Sequence, residues 1–153
     1  MKSYLTVVLL MIVCSLQAQQ DFTEADAKGI IDTFFEGFHA GDTLKMKSVM
    51  VDHLPTQTVF TDKDGNNRIS NGTADRLLTA IANRPAEQKW DERLFGYEVK
   101  IDGNLAHVWT PYQFWLNGEM SHCGANAFTL GKTDDGWKIL HLIDSRRRES
   151  CSM

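Results

Sequence analysis

The sequence predicts an α+β domain, and three features carry the prediction. Ala27, Ile30, Ile31, Phe34, Phe35 and Phe38 recur at helical spacing and give the N-terminal region one broad apolar face. An Asp64-Gly65 turn joins two short β-rich runs, which is the mark of a hairpin. From residue 88 onward, long runs are punctuated only by turns at Asn117-Gly118 and Asp134-Asp135-Gly136. Helices early and an antiparallel meander late segregate the two structure types, as α+β folds do.

The elements follow in order. Thr23 with Asp26 three residues on makes a capping box that starts the first helix, and Gly41 supplies its stop. Asp42 caps a short second helix carrying Leu44, Met46, Val49 and Met50. A hairpin then spans 56–61 and 68–70. Its loop is rich in Asp and Asn, but a calcium loop counted from Asp62 would need Gly where Asn67 stands and Glu where Thr73 stands, so it is a turn. A third helix runs from Ala74 to Asn83, buries Leu77, Leu78 and Ile81, and ends before Pro85. Strands are expected at 88–101, 105–116, 119–131 and 137–145, with Trp137 anchoring the last hairpin.

A chain of 153 residues has room for one domain with a proper core. Its net charge of −4, with Arg146-Arg147-Arg148 as the one basic run, argues against nucleic acid as a partner. Residues 1–18, MKSYLTVVLLMIVCSLQA, have the form of a signal peptide: Lys2, an apolar stretch from Leu5 to Val13 too short to span a bilayer, and Ala18 at the cleavage point. The expectation is a periplasmic or secreted protein whose single domain is residues 19–153. Lipidation at Cys14 is the minor alternative, since Met11-Ile12-Val13 lacks the small residue that precedes a lipidated cysteine. Cys123 and Cys151 remain in the mature chain; a bridge is permitted there, and two unpaired thiols are the simpler expectation. No two histidines have zinc-motif spacing, and no metal or cofactor is expected.

Three stretches resemble one superfamily. FFEGFHAGD at 34–42 resembles its first-helix end, GNLAHVWTPYQFWLNGE at 103–119 its long strand, and HCGANAFTLGKTDDGWKILHLIDSRRR at 122–148 its closing hairpin. The chain is similar there to nuclear transport factor 2-like (SnoaL-like) proteins, and most of all to the secreted lumazine-binding bacterial subgroup. The resemblance implies a cone: three N-terminal helices packed on a strongly curved antiparallel sheet, with a conical pocket at one end and, often, a second subunit on the outer face. The superfamily hosts many functions on one fold. Its ketosteroid isomerases use a tyrosine as oxyanion donor, whereas the corresponding wall here offers Phe34, Phe35 and Phe38.

Counting outward from the two turns places Gln113 opposite His122, Trp109 opposite Asn126 and Phe128 opposite Leu140. One face then gathers His107, Trp109, Gln113, His122, Asn126 and Asp144; the other gathers Ala106, Val108, Tyr112, Phe114, Ala125 and His141. The second set, richer in small residues, is taken as the inner face. The candidates for proton transfer are His122, His141 and Asp144, with His122 and Asp144 as a pair that tunes an imidazole near neutral pH. Each also has a plain structural explanation, as a core histidine or a cross-strand polar contact. Tyr112, Trp109, Asn126, Phe38 and His53 are the candidate ligand contacts. Many rings with few converging acids and bases favour a secreted, dimeric small-molecule-binding protein for a largely apolar or planar ligand. The alternatives are a cofactor-independent lyase, isomerase or cyclase, and a dimeric scaffold with a vestigial pocket.

Overall fold

A computed structural model describes residues 21–151; the expected signal peptide, residues 1–18, lies outside the described residues. Helix α1 (Glu24–Ala40) starts at the capping box, where the Thr23 hydroxyl accepts from Asp26 N and the Asp26 carboxylate accepts from Thr23 N at 2.8 Å. It ends at Gly41, whose φ of 76° suits a residue without a side chain. Helix α2 (Thr43–Ser48) turns back at once, with the Asp42 carboxylate accepting from Leu44 N and Lys45 N. Gly37 makes that reversal possible, because a Cβ there would lie 2.7 Å from Met46 Cγ and 2.8 Å from Asp42 O.

Strands β1 (Pro55–Thr61) and β2 (Asn67–Thr73) form the expected hairpin, and α3 (Ala74–Ala82) follows it. The three helices among the described residues are therefore not one N-terminal group, because the hairpin separates the third from the first two. Beyond them lie β3 (Trp90–Leu94), β4 (Glu98–Asp102), β5 (Leu105–Leu116), β6 (Glu119–Thr133) and β7 (Gly136–Arg147). The sheet runs in the order β2-β1-β7-β6-β5-β3, with β4 beside the other half of β5. It is curved, unclosed and largely antiparallel; β1 and β7 pair in parallel. Among the described residues no helix is long and apolar enough to cross a membrane.

The single strand expected at 88–101 is two. Gly96, at φ 85°, bends the chain between them, and both segments pair with β5, one on each side of Pro111. Proline has no N–H to give a continuous partner, so the ladder lapses there, and Phe95 N turns to bond Pro111 O at 2.9 Å.

The expected registers also change. A bulge sets Trp115 opposite Met120 but Phe114 opposite His122, leaving Ser121 as the extra residue. Gln113 therefore faces Cys123, and Trp109 faces Ala127 rather than Asn126. A second bulge at Leu140 sets Phe128 opposite Leu142 and Asn126 opposite Asp144. The inner face then combines both expected sets: Ala106, Val108, Thr110, Tyr112 and Phe114 of β5 with His122, Asn126, Phe128 and Asp144 of β6 and β7. The choice of inner face, which also included Ile139, His141 and Ile143, holds for β5 and for Ile139 and is reversed for β6 and for β7 beyond the bulge at Leu140. Against this surface α1 packs Ile31, Phe34, Phe35 and Phe38, and the core continues through Phe128, Leu130 and Ile139.

The two thiols are bridged, contrary to the simpler expectation. Cys123 and Cys151 form a disulfide with Cα atoms 5.7 Å apart. It holds the C-terminal tail on the outer face of β6, where Gln113 Nε2 also donates to Cys151 O at 2.8 Å. Trp137 stacks on Phe22 with ring centroids 3.8 Å apart, closing the far end of the helix layer.

Candidate functional site

A cavity of about 420 Å³ opens between α1, α3 and the inner face of the sheet. Part of its lining is apolar: Phe34, Phe35 and Phe38 from α1, Leu77 from α3, Trp90 from β3, and Phe114, Leu116 and Leu142. The three phenylalanines share a helical face because positions three and four apart lie one turn above another. The rest is polar, with Glu92, Tyr112, His122, Asn126, Asp144 and Arg146 beside the hydroxyls of Thr56 and Thr58.

Each polar residue reaches the cavity through strand register. Asn126 and Asp144 are direct cross-strand partners, and Gly124 lies between Tyr112 and Arg146. A Cβ on Gly124 would lie 3.0 Å from the Tyr112 ring and 1.7 Å from Ser145 O, so only a glycine leaves Tyr112 room to lean across β6. The Tyr112 hydroxyl is thereby placed 3.1 Å from Asp144 Oδ2 and 3.2 Å from Ser145 O. Asp144 also accepts from Thr58 Oγ1 at 2.6 Å and pairs with Arg146 at 3.3 Å. Burial, with Asp144 and Glu92 nearby, raises the Tyr112 hydroxyl well above its ordinary range, so it stays protonated.

Glu92 stands differently. It is half-buried on β3 and lines the cavity. Its partner is Asn126, which is 3% exposed and donates through Nδ2 to Oε1 at 2.7 Å. Burial pushes the Glu92 carboxyl up to about 7; the Asn126 bond opposes the rise and the Asp144 charge adds to it. On the backbone side Glu92 N donates to His39 Nε2 at 2.9 Å, fastening the edge strand β3 to the end of α1.

The expected His122–Asp144 pair is not made. No hydrogen bond links them; His122 Nδ1 lies 3.1 Å from Ser121 Oγ, while Asp144 meets Thr58, Tyr112 and Arg146. Burial first, and then the Arg146 charge, lower His122 to about 4 against the pull of Asp144. The imidazole in this cavity is neutral at physiological pH.

Of the residues singled out from the sequence, the cavity brings together Phe38, Tyr112, His122, Asn126 and Asp144. Trp109 is outside it, 41% exposed on the outer face opposite Ala127. His141 lies on the opposite face of β7 from Leu142 and Asp144, paired with Thr129. His53 is an exposed loop residue at φ 52°, bonded to Asp75 at 2.8 Å, which raises its pKa. Among the described residues no cluster of His, Cys, Asp and Glu is suited to a metal ion.

Sequence reasoning passed over Glu92 and Arg146. Glu92 sits in Asp91-Glu92-Arg93 and looks like part of a solvated edge, yet the two-residue period puts it on one face with Trp90 and Leu94. Arg146 was absorbed into an arginine run, though it is two residues from Asp144 and shares its face.

The two shifted groups predict opposing pH dependences. The unfolded chain loses the Glu92 proton near 4.5 and the folded protein near 7, so stability falls as pH rises through that window. His122 takes up its proton near 6.5 when unfolded and near 4 when folded, so stability falls as pH drops through that one. Between about 4.5 and 6.5 the two slopes oppose each other. Glu92→Gln leaves the His122 slope exposed, and its stability relative to wild type should grow by roughly 3 kcal/mol between pH 4.5 and about 8. Urea midpoints across that range check this; parallel curves for the two proteins contradict it.

No family model matches the chain, and no curated protein sequence matches it significantly. Solved structures do. A nuclear transport factor 2 superfamily protein of Salmonella enterica superposes with TM-score 0.61 at 15% identity, covering 82% of this chain and 92% of its own. An NTF2-like protein of Cytophaga hutchinsonii gives TM-score 0.61 at 10% identity, over 82% of this chain and all of its own. A Streptomyces avermitilis protein, provisionally named a dehydratase of the NTF2-like family, gives 0.58 at 17%, over 80% and 94%. At such identities the likeness speaks for architecture alone: this chain has the fold of nuclear transport factor 2-like proteins.

Proposed function

We propose that the protein is a secreted small-molecule-binding protein whose conical cavity holds a compact ligand by an apolar body and one polar head. The mixed lining of the cavity carries the reading: aromatic rings beside converging polar groups, and a volume of about 420 Å³ within the roughly 300–1,000 Å³ usual for ligand pockets. The sequence likeness to the secreted lumazine-binding subgroup agrees with it. Native mass spectrometry of protein purified from its own host should find a retained small molecule displaced by Phe38→Trp, which fills space among the rings of the lining. Apo protein from every preparation, with unaltered tryptophan fluorescence against a broad ligand panel, counts against the reading.

A second reading has its own observation. Glu92 and Asp144 share the cavity, yet one is pushed up to about 7 while the other is held by three donors. Paired carboxyls in such different settings suit general acid–base work. A lyase, isomerase or cyclase would use Glu92 to take a proton from carbon, with Asp144, Tyr112 and neutral His122 around the reacting group. Turnover would then change with pH near 7 and vanish in Glu92→Gln, while affinity persisted.

Export and pairing complete the proposal. The Cys123–Cys151 bridge suits an oxidising compartment. Exposed Trp109, Leu105 and Met120 suit a two-fold contact through the outer face. Mature protein should begin within two residues of Gln19 and sediment as a dimer; an intact Met1 or a clean monomer at micromolar concentration overturns the respective half.

A further inference from the structure

The hydrogen-bonding inventory of the cavity is lopsided. The Tyr112 hydrogen goes to Asp144 or Ser145 O, the Thr58 hydrogen to Asp144, and one Asn126 hydrogen to Glu92. Trp90 Nε1, which also borders the cavity, donates to Gln88 Oε1 at 3.2 Å. Donors remain on Arg146, on the second Asn126 hydrogen and on the Thr56 hydroxyl, but at Glu92 the open capacity is for a donor: no side chain of the described residues hydrogen-bonds its Oε2. Formal charge leans the same way. Two carboxyls face the cavity against one guanidinium, that of Arg146, and Arg146 is already paired with Asp144. Among the described residues no cationic side chain forms an ion pair with Glu92; its neighbours are Asn126, the Asp144 and Arg146 charges and the neutral His122 ring of the inner face, with His39 on its backbone.

The aromatic lining is complementary to the same kind of guest. Phe34, Phe35, Phe38, Trp90 and Phe114 line the same cavity as Glu92, and Phe114 is its direct cross-strand partner. Aromatic walls next to an unpaired carboxyl attract an organic cation twice, through the ring quadrupoles and through the acid. A carboxylate ligand would meet two carboxyls and only the shared Arg146.

We propose that the cavity binds a compact organic amine in its ammonium form, its head donating to Glu92 Oε2 and Asn126 Oδ1 and its hydrocarbon body lying among the rings of α1 and β3. The proposal rests on the reading of the cavity as a ligand pocket and names the ligand's chemical class. Binding requires Glu92 as carboxylate, so near neutral pH the complex forms with release of a proton from Glu92 to solvent. A carbonyl ligand does the reverse, holding the acid protonated and drawing a proton in.

The test uses three shape-matched probes on the full mature protein: 2-naphthylmethylamine, 2-naphthylmethanol and 2-naphthoate. Calorimetry at pH 7 in phosphate and in Tris, whose ionisation enthalpies differ, reads affinity and the proton count together. The amine should bind about tenfold tighter than the alcohol, with roughly half a proton released. Glu92→Gln, checked for an unchanged near-ultraviolet circular dichroism spectrum, should remove the amine's advantage over the alcohol. Should Gln disturb the fold, the wild-type proton count alone decides. Equal affinities, tightest binding of the naphthoate, or proton uptake with the amine overturns the amine assignment and leaves a ligand pocket standing. Failure of all three to bind at millimolar concentration overturns both the assignment and the pocket function beneath it.

Discussion

Gly124→Ala should leave no stably folded protein. The added carbon would sit 1.7 Å from Ser145 O and 3.0 Å from the Tyr112 ring, and the first of these is backbone held in the β6–β7 ladder. Relief requires either peeling β7 from β6 or driving Tyr112 off Asp144, which removes a hydrogen bond from a carboxylate in the cavity wall. Ordinary overpacking costs about 1–3 kcal/mol where side chains can yield. Here a strand must yield, so the cost should exceed that range and consume much of the stability of a domain this size. Loss of the near-ultraviolet circular dichroism signal, or a collapse of the urea midpoint, is the expected result. An alanine variant melting like wild type would mean that Tyr112 does not cross β6 at this point.

Cutting the Cys123–Cys151 bridge should cost about 3–4 kcal/mol, the loop-closure estimate for cysteines 28 residues apart. The closed loop contains the β6–β7 hairpin, so the unfolded chain gains the freedom of that whole segment when the bridge goes. The tail loses its anchor as well, because Gln113 then bonds a Cys151 carbonyl that nothing else fixes. Wild-type protein should therefore lose stability in dithiothreitol, whereas Cys151→Ser should start lower and ignore the reductant. Equal midpoints with and without reductant would remove the bridge from the stability of the fold.

Local features were legible in the sequence because they depend on neighbours in the chain. The capping box at Thr23, the left-handed Gly41 and the Asp64-Gly65 turn each rest on a few adjacent residues, and each stands where its residues placed it. The bulges at Ser121 and Leu140 arise from pairing between strands, and each slips the register by one residue. That slip separated Tyr112 from Asn126 and Asp144 on paper, although the fold puts all three in one wall. Phe38, Tyr112 and Asn126 were found because ring and amide positions stood out against their surroundings. Glu92 was hidden by its charged neighbours, although Trp90 and Leu94 on either side announce an inward face. The disulfide depends on where the last residues cross the sheet, which spacing does not encode.

The parallel pairing of β1 with β7 gives the cavity a temporal character. Thr58 and Asp144 are 86 residues apart, and their hydrogen bond joins the first strand of the sheet to the last. Contacts between such distant segments carry a high loop-closure cost and form late. During synthesis from the N-terminus, the β1–β2 hairpin is made long before β7 exists to cover its inner edge. That edge is an unpaired row of amides in the interval, open to other strands. The polar lining of the cavity thus assembles only when β7 has been made. A fragment ending before β7 would keep the helices and the hairpin, yet it would lack Asp144, Arg146 and the strand that brings Thr58 to them.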